Sequence, residues 1–179
     1  MAKIVITAGH ATVDRPDSGA VYNGRKESEV MTAFRNIVAL KLRQAGHEVI
    51  TDGEGKENQT LNTAIRLIKA HKPDYALEFH TNASTSPAAS GVETISLPKD
   101  KDISRQISHA ISRVLSLRVR GDRGWIDQSQ SARGKLGYVN AGGIIVETFF
   151  ISSRQDLAVW EEKQWLVATE IAKLFDDKL

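Results

Sequence analysis

The 179-residue chain contains no cysteine, which excludes disulfides and thiolate metal sites alike. Any metal it binds must be held by imidazole, carboxylate or carbonyl groups, and only five histidines are present to supply the imidazoles. No run of about 18 apolar residues exists to span a bilayer. The apolar stretch in MAKIVITAGH is too short for a signal peptide. The expectation is therefore a soluble protein made in the cytoplasm, with no membrane insertion and one core-sized domain. Net charge is also small, at +2, although it is unevenly spread: residues 101–135 hold eight Lys/Arg against three Asp, and residues 145–179 hold four Lys/Arg against seven Asp/Glu. A local basic region can attract nucleic acid or an anionic wall polymer, and a solvated helix face accounts for it as well. The segment has no aromatic stacking set, which speaks against nucleic acid as a partner.

What is present alternates. Residues 3–7 (KIVIT) form a β-branched run that stops at Ala8-Gly9-His10, as a buried strand ending in a turn would. Residues 11–26 are dense in turn formers, and Glu27 opens a helix with an apolar stripe at Val30, Phe34, Ile37 and Val38 that Gly46 is placed to end. A strand over 47–51, a helix through Leu61, Ala64 and Ile68, and a strand over 75–80 follow. A further strand is expected over 92–97, a helix over 103–115, a long loop with one short strand at most over 121–137, a strand over 144–150 and a C-terminal helix. No internal repeat or linker interrupts this order. It predicts an α/β fold: a single domain with a twisted, mostly parallel sheet and helices on both faces, whose sites lie beyond the carboxyl ends of the strands.

The chemistry-bearing residues fall at those ends. His10 follows the first strand, His80 ends the third, Glu147 lies late in the last, and Glu27 closes the first loop. A catalytic zinc takes three protein ligands, often two histidines and a carboxylate, and a separate carboxylate then acts as general base and acid. Glu147, set among Ile144, Ile145, Val146 and Phe149, suits that second role because apolar surroundings raise a carboxyl pKa. Taken singly, a histidine at a strand end is more often structural than a ligand. His47 and His71 read as solvent-facing or capping residues, and His109 sits on a helix with no carboxylate near it in sequence.

In order, AGH at 8–10, GRKESEV at 24–30, FHTNAS at 79–84, SGVET at 90–94 and VETFFISS at 146–153 resemble the zinc-dependent N-acetylmuramoyl-L-alanine amidases of the Amidase_3 family. The likeness runs from about residue 4 to 172. It implies that His10, Glu27 and His80 hold one Zn²⁺ and that Glu147 is catalytic. Glu29 is the rival to Glu27, and Gly24, three residues before Glu27, favours the latter. Asn82 falls where the family has an asparagine after its second histidine, supporting the loop at the metal.

Two features depart from the pattern. GHATVDRPDSGA replaces the usual turn after the first histidine. Glu78 stands where serine is usual, on the same face as His80, either orienting an imidazole or forming a buried ion pair. Arg123 and Arg133 are candidates to steady the oxyanion. The implied function is a peptidoglycan hydrolase, with residues 1–179 one catalytic domain without a wall-binding module, monomeric. It would be a phage or prophage endolysin that reaches the wall once the membrane is breached. A non-catalytic peptidoglycan-binding module of the same fold, or a zinc hydrolase acting on another amide, is the alternative.

Overall fold

The computed structural model describes residues 1–131 and 134–176. Its centre is a six-stranded sheet in the order β4-β1-β5-β8-β6-β7, built from β1 (Lys3–Ala8), β4 (Glu48–Thr51), β5 (Tyr75–Asn82), β6 (Glu93–Ser96), β7 (Trp125–Asp127) and β8 (Ile144–Phe150). The pairs β1–β4, β1–β5 and β5–β8 are parallel. β6 pairs antiparallel with β8 and parallel with β7, so the last two strands run against the other four. The sheet is mostly parallel, as the alternation of elements predicts.

Side chains alternate across the sheet and find helices on both faces. Ile4 and Ile6 of β1, Leu77 and Phe79 of β5, and Val146 of β8 pack with Phe34, Ile107 and Trp160. These come from α1 (Glu27–Gln44), α3 (Lys101–Leu115) and α5 (Arg154–Asp176). Val5, Ala76 and Ile145 face the other way, against Ala64 and Ile68 of α2 (Leu61–His71) and Tyr138 and Val139 of the short α4 (Gly137–Asn140). Glu78, His80 and Glu147 share the parity of Ala76 and Ile145. They therefore lie on the face that α2 and α4 cover only in part.

Local signals explain the boundaries. α1 carries Glu27 and Glu29 in its first turn and Lys41 and Arg43 in its last, complementing the helix dipole. It ends with Gly46 at φ 89; the amide of Gly46 bonds the Arg43 carbonyl and that of His47 bonds the Leu42 carbonyl, a Schellman closure. The turn-rich segment before α1 also contains a hairpin absent from the sequence expectation, β2 (Val21–Tyr22) with β3 (Arg25–Lys26). Its corner, Asn23 and Gly24, has positive φ at both residues, the two-residue turn that suits strand twist. His47 is a second correction: it is buried, accepts the Ala2 amide at 3.1 Å and pairs with Asp176 at 3.0 Å. His71 is exposed, as expected, and so is His109. Among the described residues, no helix is long and apolar enough to cross a membrane.

Candidate metal centre

Three elements deliver His10, Glu27 and His80 to one point, where their ligand atoms lie within 4.8 Å of one another. Glu27 is central. Its Oε2 lies 3.2 Å from His10 Nε2 and its Oε1 lies 3.1 Å from His80 Nδ1. It opens α1, where the helix N-terminus favours an anion, and its two oxygens also accept the amides of Ala20 at 3.0 Å and Thr81 at 2.9 Å. Its rival Glu29 is exposed and paired with Lys26. Two glycines make room for the cluster. A Cβ on Gly9 would fall inside the His80 ring, and one on Gly19, at φ 63, would meet Glu27 and His10.

Each imidazole turns its other nitrogen to a second carboxylate. His10 Nδ1 lies 2.6 Å from Asp17, and His80 Nε2 lies 3.0 Å from Glu78. That arrangement fixes ring orientation and leaves the inward nitrogens for a metal. The donor set therefore fits a divalent ion: two imidazoles and one carboxylate converge, and both rings are held from behind. Sequence reasoning counted Asp17 only among turn formers. Glu78 reaches His80 as strand parity predicts, and its Oε2 is 3.5 Å from the Thr7 hydroxyl, which bonds the Tyr138 hydroxyl at 3.0 Å.

The electrostatics follow from this crowding of carboxylates. Burial works to raise the Glu27 pKa, but hydrogen bonds from the two imidazoles, with their charge, hold it well below the usual carboxylate range. Burial disfavours the His80 cation, yet hydrogen bonds to Glu27 and Glu78 and the charges of Glu78 and Glu147 raise its pKa well above the ordinary value. His10 is raised chiefly by its hydrogen bond to Glu27, with burial opposing. The site is short of positive charge, which protons supply in the metal-free protein and a dication would supply in their place.

Glu147 stands directly opposite His80 in the β5–β8 register. Its Oε2 is sealed from solvent and has no hydrogen-bond partner among the described residues. Burial, helped by the charges of Glu27 and Glu93 and opposed by the imidazoles, pushes its pKa up to about 7, so it can exchange a proton near neutrality.

The other sequence candidates are distributed differently. Asn82 donates to Glu93 at 3.2 Å and its Oδ1 accepts the Ala83 amide at 2.9 Å, in the loop that follows His80. Arg123 is 73% exposed, lies in the loop before the outermost strand and, among the described residues, pairs with Asp122 and with no member of the cluster. Arg133 lies outside the described residues. Asn58, which drew no attention in the sequence, is fully buried and donates to the carbonyls of Ala8 and His10 at 2.8 and 2.9 Å. Beside the cluster, a cleft of about 310 Å³ is lined by His10, Arg15, Leu61, His80, Leu136 and Ile145 among others.

Residues 4–175 match the family model described as N-acetylmuramoyl-L-alanine amidase, Amidase_3. Bacillus subtilis N-acetylmuramoyl-L-alanine amidase LytC is 26% identical over 170 residues, 89% of this chain and 32% of LytC. The chain thus spans about a third of that relative's length. Among solved structures, a Neisseria meningitidis protein to which the same amidase activity has been ascribed superposes with a TM-score of 0.88 at 37% identity, covering 97% of this chain and 93% of that one. The catalytic domain of the amidase CwlV from Bacillus (Paenibacillus) polymyxa superposes with a TM-score of 0.77 at 22% identity, covering 98% of this chain and 97% of that one, a likeness of fold.

Proposed function

The chain belongs to the Amidase_3 family of N-acetylmuramoyl-L-alanine amidases, and from that premise we propose that it hydrolyses the amide between the lactyl group of N-acetylmuramic acid and L-alanine in peptidoglycan, with one zinc ion held by His10, Glu27 and His80. The observation that bears most weight is Glu147: an unpartnered, buried carboxylate oxygen opposite His80, on a group titrating at about 7. When bound, zinc supplies a Lewis acid that polarises a carbonyl and lowers the pKa of a water toward about 7.

The chain's own residues do the rest. Glu27 and the inward nitrogens of His10 and His80 form the ligand face, and Asp17 and Glu78 keep both rings turned to it. The Glu147 carboxylate takes the proton of the attacking water. It then returns that proton to the departing L-alanine nitrogen, so the carboxylate ends each cycle as it began. The cleft beside His10 and His80 gives the substrate a place to lie. Leu61, Leu136 and Ile145 give it an apolar wall on the α2 side.

Mass spectrometry of products from purified peptidoglycan tests the reading. Zinc-loaded protein should release free stem peptides beginning at L-alanine. Muropeptides that keep the lactyl–alanine bond, or peptides cut further along the stem, would contradict it.

A further inference from the structure

On the side of Glu147 away from the metal ligands lies a second polar cleft. β8 stands between β5 and β6, so Glu147 has His80 opposite it on one flank and Glu93 on the other. Both Glu93 oxygens are held: Arg120 Nε donates at 2.7 Å and Asn82 Nδ2 at 3.2 Å. Arg118 and Arg120 flank Val119, which bridges to Val92, so extended-chain parity sends both side chains to one side.

The backbone beneath them is shaped for this. Gly91, at φ 122, is the residue their stems cross. A Cβ there would come within 2.7 Å of the Arg118 carbonyl oxygen, 3.0 Å of Arg120 Cγ and 3.1 Å of Arg118 Cγ. Buried Asp156 anchors the turn, accepting from Ser90 Oγ at 2.8 Å and from the Gly91 amide at 3.4 Å. Each arginine is fixed by its Nε alone, Arg120 on Glu93 and Arg118 on the Ser90 carbonyl at 3.1 Å, and the Arg120 guanidinium also lies 5.0 Å from the Phe150 ring centroid. Their terminal nitrogens bond no described residue. They line a cleft of about 400 Å³ together with Asn82, Ser84, Ser86 and Phe150.

Two oriented guanidinium groups with free outer donors, beside a Glu93 carboxylate whose two oxygens Arg120 and Asn82 already engage, form a receptor for a planar anion. On the amidase reading, on which this inference rests, the group that departs from the lactyl carbonyl and is protonated by Glu147 is the L-alanine end of a peptide. The next stem residue is a D-glutamate joined through its side chain, with its α-carboxylate free, and the third residue can bear another. We infer that the Arg118–Arg120 cleft takes a free carboxylate of the stem peptide and makes the enzyme selective for non-amidated stems.

The test uses the zinc-loaded full chain and disaccharide–tripeptides identical except for amidation. One pair differs at the second-residue carboxylate, the other at the third. The unmodified protein should cleave the free acid of one pair with a kcat/KM about tenfold above its amide, the scale of one charge-assisted hydrogen bond. The pair that shows the preference names the carboxylate. In Arg118→Gln and Arg120→Gln the ratio should fall toward one, and because acid and amide are compared within each variant, general losses of folding or turnover cancel. Equal cleavage of both pairs by the unmodified protein, or a preference that survives in both variants, overturns the inference and leaves the amidase reading standing. Release of no stem peptide from any of the four substrates sinks that reading and the inference together.

Discussion

His80 rides on a central strand, and its outer nitrogen is bonded to Glu78, whose side chain is 5% exposed. His10 sits past the end of β1 in a left-handed conformation, φ 66, and its outer nitrogen is bonded to Asp17, which is 65% exposed. The rings meet edge to face with centroids 5.3 Å apart, so one metal would draw on two different supports. The strand-borne histidine is set by sheet register and a desolvated partner. The loop-borne one needs a brace from elsewhere, since a non-glycine residue in that conformation costs about 1–3 kcal/mol unless its surroundings enforce it.

The brace is a buried polar chain. Arg35, on α1, is fully buried and bonds Asp52 at 2.9 Å, Asn58 at 2.9 Å and the Glu57 carbonyl at 2.8 Å. Asn58 in turn grips the carbonyls of Ala8 and His10, and its own carbonyl accepts the amides of Thr12 and Val13. The largest expected effect lies here. Arg35→Met strands Asp52, whose pKa burial already pushes up to about 6 against the guanidinium, and should lower unfolding free energy by about 3 kcal/mol or more. Urea unfolding of the metal-free protein measures it. An unchanged midpoint would mean that the His10 loop does not depend on this chain.

A smaller effect separates the two imidazole partners. Glu78→Ala should weaken zinc binding about 10–100-fold, as losing a buried group that orients a ligand does. Asp17→Ala should cost no more than about fivefold, because an exposed pair is screened by water. Competition with a chelating dye gives both constants. Equal losses, or a larger loss for Asp17, would reverse the comparison between strand and loop.

The same contrast decides what the sequence made legible. His80 and Glu147 lie late in apolar, β-rich runs that read as strands, and period-two parity within the first of these put Glu78 on the face of His80. The helix from Glu27 announced itself through its apolar stripe. Asp17 and Asn58 lie in segments dense in turn formers, where no period says which side chain points inward. The two-residue strands of the hairpin are too short to show alternation. The reversal of β6 and β7 left no trace either, because periodicity carries no strand direction. Of the arginines in the basic segment, Arg123 flanks the outer strand β7 and pairs with Asp122. The two that line a cleft beyond Glu147, Arg118 and Arg120, are placed by a bridge between Val92 and Val119 that no local pattern foretells.

The central claim is that ligand and proton carrier are separate groups: His10, Glu27 and His80 hold the metal, and Glu147 moves the proton. Glu147→Gln, assayed together for zinc content and for release of stem peptides from peptidoglycan, tests it most directly. One zinc per chain should remain, as in the unmodified protein, with turnover reduced at least about 100-fold. Turnover near that of the unmodified protein, or loss of the zinc along with activity, would contradict it.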